Sequence, residues 1–178
     1  MANLSGKKVA VVATDFFEEA ELTGPVQALK DAGAKVDIIA PHSGEIKGVK
    51  HVDPGQAIKV DKTIDQADPE EYDALVLPGG AVNADSLRME EKARDFVRKI
   101  FGEGKPTAVI CHAPWMLVSA GLARGKKLTS FFTIQDDLRN AGAEWIDKEV
   151  VQDGNLITSR QPDDLPAFNR TLIAALGA

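Results

Sequence analysis

The chain has 178 residues and a formal net charge of −6, from 27 acidic and 21 basic side chains, and it contains a single cysteine. Its length and its 44% hydrophobic residues predict one domain, spanning residues 1–178. The acidic balance, without a basic run, argues against nucleic acid as a partner, because phosphates are bound by clustered Lys and Arg. One cysteine excludes an internal disulfide and a dithiol redox motif.

The first apolar run is too short to target the chain to a membrane. It covers Val9–Ala13 and is interrupted by Thr14 and Asp15, too early for the core of a signal peptide. No stretch approaches the ~18 apolar residues of a membrane span. We therefore expect a cytoplasmic protein with no membrane partner.

The first half of the chain alternates strand and helix patterns. Lys8–Ala13 is nearly continuously apolar, as in a strand covered on both faces. Pro25–Ala32 predicts a helix that ends before Gly33, and Lys35–Ala40 predicts the next strand. An irregular or hairpin-like excursion with a short strand at Ile58–Val60 follows.

The second half continues this alternation. Strands are predicted at Tyr72–Leu77 and Thr107–Ile110, and a hairpin at Val150–Ser159. Four helices are predicted, at Ser86–Phe101, Trp115–Ala120, Thr133–Ala141 and Pro166–Leu176. The pattern indicates an α/β fold, a doubly wound and mostly parallel sheet with helices on both faces.

Functional groups of such a sheet gather beyond the carboxyl ends of its strands. Three loops are placed there: Thr14–Glu21, Gly79–Asp85 and Cys111–His112. They supply carboxylates, a glycine-rich turn and a thiol beside an imidazole. We predict that these loops form the active site.

Cys111 is the candidate nucleophile, because it lies at a strand-to-helix junction of the kind called a nucleophile elbow. The helix start that follows is expected to favour the thiolate. His112 is a candidate base for this thiol. The N–H groups of Gly80 and His112 are candidates for an oxyanion hole.

Three acids follow the first strand. Solvation at a helix start is the favoured interpretation for Glu18 and Glu19, where acids complement the helix dipole. If Glu21 faces Cys111, it must either be protonated and donate to the sulfur, or repel the thiolate.

These segments resemble the ThiJ/PfpI family, in particular its PfpI-type intracellular protease and general-stress branch. The resemblance rests on motifs spread over the whole chain: ATDFFEEAEL (13–22), EEYDALVLPGG (70–80), AVICHAPWMLVSAGL (108–122), LTSFFTIQDDLRNAGAEWID (128–147) and LITSRQPDDLPAFN (156–169). It implies a flavodoxin-like fold, related to class I glutamine amidotransferases, with Cys111 as nucleophile and Glu21 as its carboxyl partner. It also implies homodimers or larger homo-oligomers and no cofactor.

The family's pattern implies that an acid from a neighbouring subunit completes the imidazole site, and Asp85 is its best match. The spacing from Gly80 is one residue longer than in archetypal members. Arg124 matches a basic residue near the site in relatives, and a surface salt bridge is an equal alternative for it. Glu18 is placed beside the reacting groups. Phe131 stands where relatives often have Tyr or His, which removes a polar group, since Phe cannot donate or accept a proton.

Three functions remain open on the sequence. Cys111 could add to a reactive aldehyde such as methylglyoxal, with Glu21 moving a proton, in glyoxalase or deglycase chemistry. Cys111, His112 and Asp85 could instead hydrolyse peptides. The third function is an oxidative-stress sensor, in which Cys111 is oxidised without catalysis.

Other classes fit less well. Glutamine amidotransferases of this fold need a distant His-x-Glu, which none of the three histidines supplies. Three dispersed histidines and one cysteine predict no metal site.

Overall fold

A computed structural model describes residues 2–177 as a central sheet flanked by helices, with two smaller sheets. In chain order the strands and helices are β1 (Lys8–Val12), β2 (Phe17–Glu18), α1 (Glu19–Asp31), β3 (Lys35–Ala40), β4 (Glu45–Lys50), β5 (Asp53–Lys59), β6 (Lys62–Thr63), β7 (Ala74–Leu77), α2 (Ala81–Leu87), α3 (Glu91–Gly102), β8 (Thr107–Ile110), α4 (Trp115–Ser119), β9 (Lys127–Leu128), α5 (Gln135–Asn140), β10 (Glu144–Trp145), β11 (Val151–Asp153), β12 (Leu156–Ser159) and α6 (Leu165–Gly177).

The central sheet has seven strands in the order β11-β12-β8-β7-β1-β3-β6. All neighbouring strands are parallel except β11 and β12. The chain passes from β1 to β3 on one side and returns to β7 on the other, so the strand order reverses beside β1. That reversal point is where α/β folds open a crevice for ligands.

Helices cover both faces of this sheet, as the alternation of side chains along β1 requires. Val9 and Val11 pack into a core with residues of α1 and α6. Ala10 and Val12 pack into a second core with residues of α3, α4 and α5. The predicted α/β, flavodoxin-like architecture with a mostly parallel sheet is confirmed.

Two predicted helices have different bounds in the structure. The helix expected from Pro25 begins already at Glu19, with Pro25 inside it. The helix expected over Ser86–Phe101 is two helices, α2 and α3. They separate because Glu90 has an extended backbone, with a ψ of 107°, which interrupts the helical hydrogen bonds.

The region predicted as irregular or hairpin-like is a hairpin. β4 and β5 pair antiparallel, and β4 also pairs with β2, which makes a separate three-stranded sheet. This sheet lies beside the carboxyl end of β1, since β2 and α1 follow directly from it. The predicted hairpin near the C-terminus is present, with Val151 opposite Thr158. No helix among residues 2–177 is long and apolar enough to span a membrane.

Candidate active site

Cys111 occupies a strained elbow between β8 and α4. Its φ angle is +66°, in the left-handed region that side chains other than Gly rarely adopt. The backbone holds it there, because its N–H donates to Ser159 O at 3.1 Å and its carbonyl accepts from Phe131 N–H at 2.8 Å. Strain of this kind costs about 1–3 kcal/mol and persists where surrounding contacts enforce it. The predicted nucleophile elbow is confirmed as a backbone feature.

Glu21 lies in the first turn of α1 and is fully buried. Its Oε1 accepts the N–H of Gly79 at 3.0 Å, whereas its Oε2 has no hydrogen-bond partner in the protein. Burial, reinforced by the charge of Glu18, raises the pKa of Glu21 to about 8. Of the two states considered for this residue, the protonated one therefore dominates at neutral pH.

Cys111 and the Glu21 carboxyl both lie against Gly79, within 2.6 Å of the position that a Cβ on this glycine would take. Burial raises the pKa of Cys111, and an ionised Glu21 raises it further, whereas N–H groups of Gly80 and His112 lower it. The expectation that the helix start makes the pKa low is wrong, because burial outweighs it and α4 has only five residues. While Glu21 holds its proton it carries no charge, so the repulsion that would raise the pKa of Cys111 further is absent.

The turn Gly79–Gly80 passes too close to its neighbours for any side chain. A Cβ on Gly79 would lie 2.4 Å from Glu21 Oε1 and 2.6 Å from Cys111 Cβ. Gly80 has a φ of +92°, and a Cβ there would lie 2.6 Å from Phe16 O. The two glycines therefore let backbone N–H groups reach both the carboxyl and the sulfur.

Asn83 fixes this turn through its side-chain hydrogen bonds. The sequence patterns did not predict this role. The side chain is fully buried, and its amide donates to Pro78 O at 3.1 Å and Gly79 O at 3.0 Å. Its oxygen accepts from Thr14 N–H at 2.7 Å. Asn83 thus ties the loop after β1 to the loop after β7. Only its place three residues beyond Gly80 could have suggested this role.

His112 lies against the nucleophile. Its Nδ1 is 3.2 Å from Cys111 Sγ, and its Nε2 is 3.4 Å from the hydroxyl of Thr133, a contact that the sequence did not predict. The ring stacks on Phe131 with centroids 4.9 Å apart. Burial lowers the pKa of His112, so the imidazole is neutral at neutral pH. Within residues 2–177, neither ring nitrogen hydrogen-bonds to a carboxylate.

Of the remaining predicted site residues, Glu18 lies at the cavity and Asp85 and Arg124 lie on the surface. Glu18 lines the same cavity as Cys111, and its carboxylate accepts the N–H of His51 at 3.1 Å. The interpretation of Glu18 as a solvated helix start therefore needs correction, since it holds the β4–β5 turn. Asp85 is exposed on α2, and Arg124 is exposed beside Gly142. The structure of one chain does not bring Asp85 or Arg124 to Cys111.

A cavity of about 510 Å³ opens above Cys111, Glu21 and His112. His51 and Val52 of the β4–β5 turn and Phe16 of the loop after β1 also line it. Phe16 belongs to a loop that was predicted to form the site, whereas the sequence patterns did not place the β4–β5 turn there. In the part of the chain that the structure describes, no group of three or more His, Cys, Asp or Glu side chains is arranged to hold a metal ion.

Comparison with known proteins agrees with this arrangement. Residues 7–175 match the DJ-1/PfpI family. The chain belongs to the DJ-1/PfpI family. Deglycase PfpI of Pyrococcus furiosus is 47% identical over 169 residues, which cover 95% of this chain and 99% of that protein. General stress protein 18 of Bacillus subtilis is 42% identical over 173 residues, covering 96% and 98% respectively.

A solved structure supports the same assignment. DJ-1beta of Drosophila melanogaster superposes with a TM-score of 0.87 at 31% identity, covering 97% of this chain and 91% of that one. The predicted DJ-1/PfpI membership and fold are confirmed. The names of the relatives agree with the predicted class, a stress-related enzyme of deglycase type.

Proposed function

We propose that this DJ-1/PfpI chain converts reactive 2-oxoaldehydes, free or as adducts, to 2-hydroxy acids, using Cys111 and Glu21 and no cofactor. The observation that carries the proposal is the buried Cys111–Glu21 pair. A carboxyl whose pKa is raised to about 8 can both give and take a proton near neutral pH. Deglycase PfpI, which is 47% identical, is named for a related activity.

The first step joins the substrate to the enzyme. The Cys111 thiolate adds to the aldehyde carbon, a C–S bond forms, and the carbonyl electron pair moves to oxygen, which takes the Glu21 proton. The product is a hemithioacetal beside a Glu21 carboxylate. The N–H groups of Gly80 and His112, which lower the pKa of Cys111, are our candidates for stabilising negative charge here.

The second step is an isomerisation. Glu21 takes the proton from the thiol-bearing carbon and delivers it to the neighbouring carbonyl carbon, whose oxygen receives the proton of the first hydroxyl. A thioester of the 2-hydroxy acid results, with no oxidant or reductant needed. Water then attacks the thioester carbon and the C–S bond breaks. The electron pair returns to sulfur, Glu21 takes one proton of the water, and the other is released with the acid.

Methylglyoxal consumption tests this function. The purified chain should convert methylglyoxal to lactate, and C111A should remove this activity. C111S is the matched control, because it keeps the shape of the elbow and changes only the nucleophilic atom. Equal rates for the native chain and C111A would overturn the proposal.

Peptide hydrolysis is the second candidate, favoured by the 3.2 Å contact between His112 Nδ1 and Cys111 Sγ. It needs an acid to orient His112, and Asp85 of the same chain is exposed on α2. We propose that this activity, if present, requires a homodimer or larger homo-oligomer in the cytoplasm that places Asp85 beside His112 of another chain. D85N should then abolish cleavage of a fluorogenic peptide, and cleavage by a strictly monomeric preparation would contradict it.

A further inference from the structure

The outer part of the cavity is apolar. Six side chains around the opening carry no polar group: Phe16, Val49, Val52, Val82, Phe131 and Pro162. Among the described residues that line the cavity, none is Lys or Arg, whereas Glu18 and Glu21 both contribute carboxyl groups. The opening therefore offers apolar contact and no Lys or Arg side chain for an anionic substituent.

Three of these six side chains are exposed, and the backbone fixes two of them. Phe16 is 48% exposed, Val82 53% and Val52 92%. Phe16 has a φ of +67°, and its N–H donates to Lys47 O at 2.6 Å. The turn that carries Val52 is held by Glu18, through the N–H of His51. A fixed, exposed apolar surface next to a reactive thiol is typical of a binding site.

The volume of the cavity exceeds what a small aldehyde needs. About 510 Å³ falls within the roughly 300–1,000 Å³ of sites that enclose ligands of drug size. Methylglyoxal has five heavy atoms and would leave most of the opening filled with water. A larger apolar substituent on the ketone carbon would instead cover Phe16, Val49 and Val82 and displace that water.

Resting on the function proposed above, we propose that the site selects uncharged 2-oxoaldehydes whose ketone carbon carries a bulky apolar group, branched or aromatic. The aldehyde carbon meets Cys111 at the inner end, and the substituent lies against the six apolar side chains of the opening. A carboxylate or phosphate on that substituent would approach Glu18 without a cation to pair with it, which disfavours anionic substrates.

Four substrates test this selection in the native chain, with C111A as the background. They are methylglyoxal, isobutylglyoxal, phenylglyoxal and para-carboxyphenylglyoxal. We expect kcat/KM for isobutylglyoxal and phenylglyoxal to exceed that for methylglyoxal by about tenfold or more, as apolar groups of this size allow. Isobutylglyoxal carries an alkyl group, as methylglyoxal does. A higher kcat/KM for isobutylglyoxal therefore reports apolar contact and not the effect of an aromatic ring on the reactivity of the carbonyl groups. The para-carboxyl compound should fall at least about tenfold below phenylglyoxal.

A charge substitution at the opening sharpens the test. V82K adds a cation on the exposed face of α2 and should reduce the ratio of kcat/KM for phenylglyoxal over para-carboxyphenylglyoxal by about tenfold. Met89 is 74% exposed and lies outside the cavity lining. M89K, which adds the same charge nearby, should leave the ratio as in the native chain.

The outcomes separate the two proposals. Cys111-dependent turnover with equal kcat/KM for all four substrates overturns the selection and leaves the proposed function intact. No turnover above C111A overturns both. If V82K dissociates an oligomer in sedimentation and lowers all four rates equally, the opening is covered by a second copy of the chain, and the selection is again overturned.

Discussion

The inner end and the opening of the cavity are built in opposite ways. At the inner end, Glu21 and Asn83 are fully buried and Gly79 leaves no room for a methyl group. At the opening, Val52 and Val82 are more exposed than buried. Polar hydrogen bonds fix the first region, whereas apolar side chains form the second.

This difference separates chemistry from selection. Moving a group at the inner end disturbs the placement of Glu21 beside Cys111, which any substrate would need. Changing a side chain at the opening alters only what is held there. Substitutions at the inner end should therefore affect every substrate, and those at the opening should affect some substrates more than others.

The largest effect is expected from G79A. The new methyl group would collide with Glu21 Oε1 and Cys111 Cβ, so these groups must separate. A displacement of this size can cost about 100-fold in kcat/KM. Overpacking should also lower the free energy of unfolding by about 1–3 kcal/mol. Steady-state kinetics and urea unfolding measure both.

Gly102 provides the matched control for G79A. A Cβ on Gly102 would meet no atom within 4 Å, and Gly102 is the last residue of α3. G102A should keep native activity and change stability by less than about 1 kcal/mol. Native activity in G79A would contradict the geometry described for the inner end.

E21Q should be next in effect. It keeps the shape of the side chain but cannot take a proton from the hemithioacetal, so kcat should fall about 100- to 10,000-fold. E19Q is the matched control, because the Glu19 carboxylate accepts Gln56 N–H outside the cavity and glutamine retains that acceptor. A loss in E19Q equal to that in E21Q would show that the change acts through folding.

The raised pKa of Glu21 also predicts how the free energy of unfolding depends on pH. Its folded pKa of about 8 lies above the ordinary value of 4.5, so the unfolded chain ionises first as pH rises. Stability from this group is complete below pH 4.5 and is lost as pH rises to about 8, at up to about 1.4 kcal/mol per pH unit. E21Q should lack this loss, so the difference in unfolding free energy between E21Q and the native chain should grow over this range. A constant difference would contradict the raised pKa.

A smaller effect on aldehyde turnover is expected from D85A. Asp85 is exposed and does not line the cavity, so kcat/KM for methylglyoxal should change less than about threefold. Peptide cleavage by the second candidate function would be lost in the same variant. A large loss of aldehyde turnover in D85A would show that Asp85 is needed for aldehyde conversion as well as for peptide cleavage. Asp85 would then no longer distinguish the two functions.

The smallest effect is expected from V52S. Val52 is 92% exposed, so the free energy of unfolding should change by less than about 0.5 kcal/mol. Its apolar contact with a bulky substrate would still be lost, which should lower kcat/KM for phenylglyoxal more than for methylglyoxal. Equal changes for both substrates would mean that this turn does not contact the substituent.

The reactive groups were predictable because they follow strongly patterned strands. The buried strand Thr107–Ile110 has the predicted bounds, and it places Cys111 at the junction where the elbow was expected. Glu21 was predicted either to be protonated or to repel the thiolate if it faces Cys111. Its pKa, raised to about 8, favours the protonated state.

The walls of the cavity were not predictable by the same means. β5 contains Pro54 and Gly55, which disfavour strands, and it is an edge strand with most side chains exposed, so it has no buried alternation to detect. The role of Asn83 depends on an N–H of Thr14, 69 residues away. Such contacts follow from the assembled sheet and not from any local pattern.

The most direct test of the central claim is the fate of methylglyoxal on E21Q. If Cys111 binds the aldehyde and Glu21 moves the proton, E21Q should form the adduct, seen as methylglyoxal protecting Cys111 from iodoacetamide, while lactate production falls at least about 100-fold. Lactate formation by E21Q at the native rate would contradict the account.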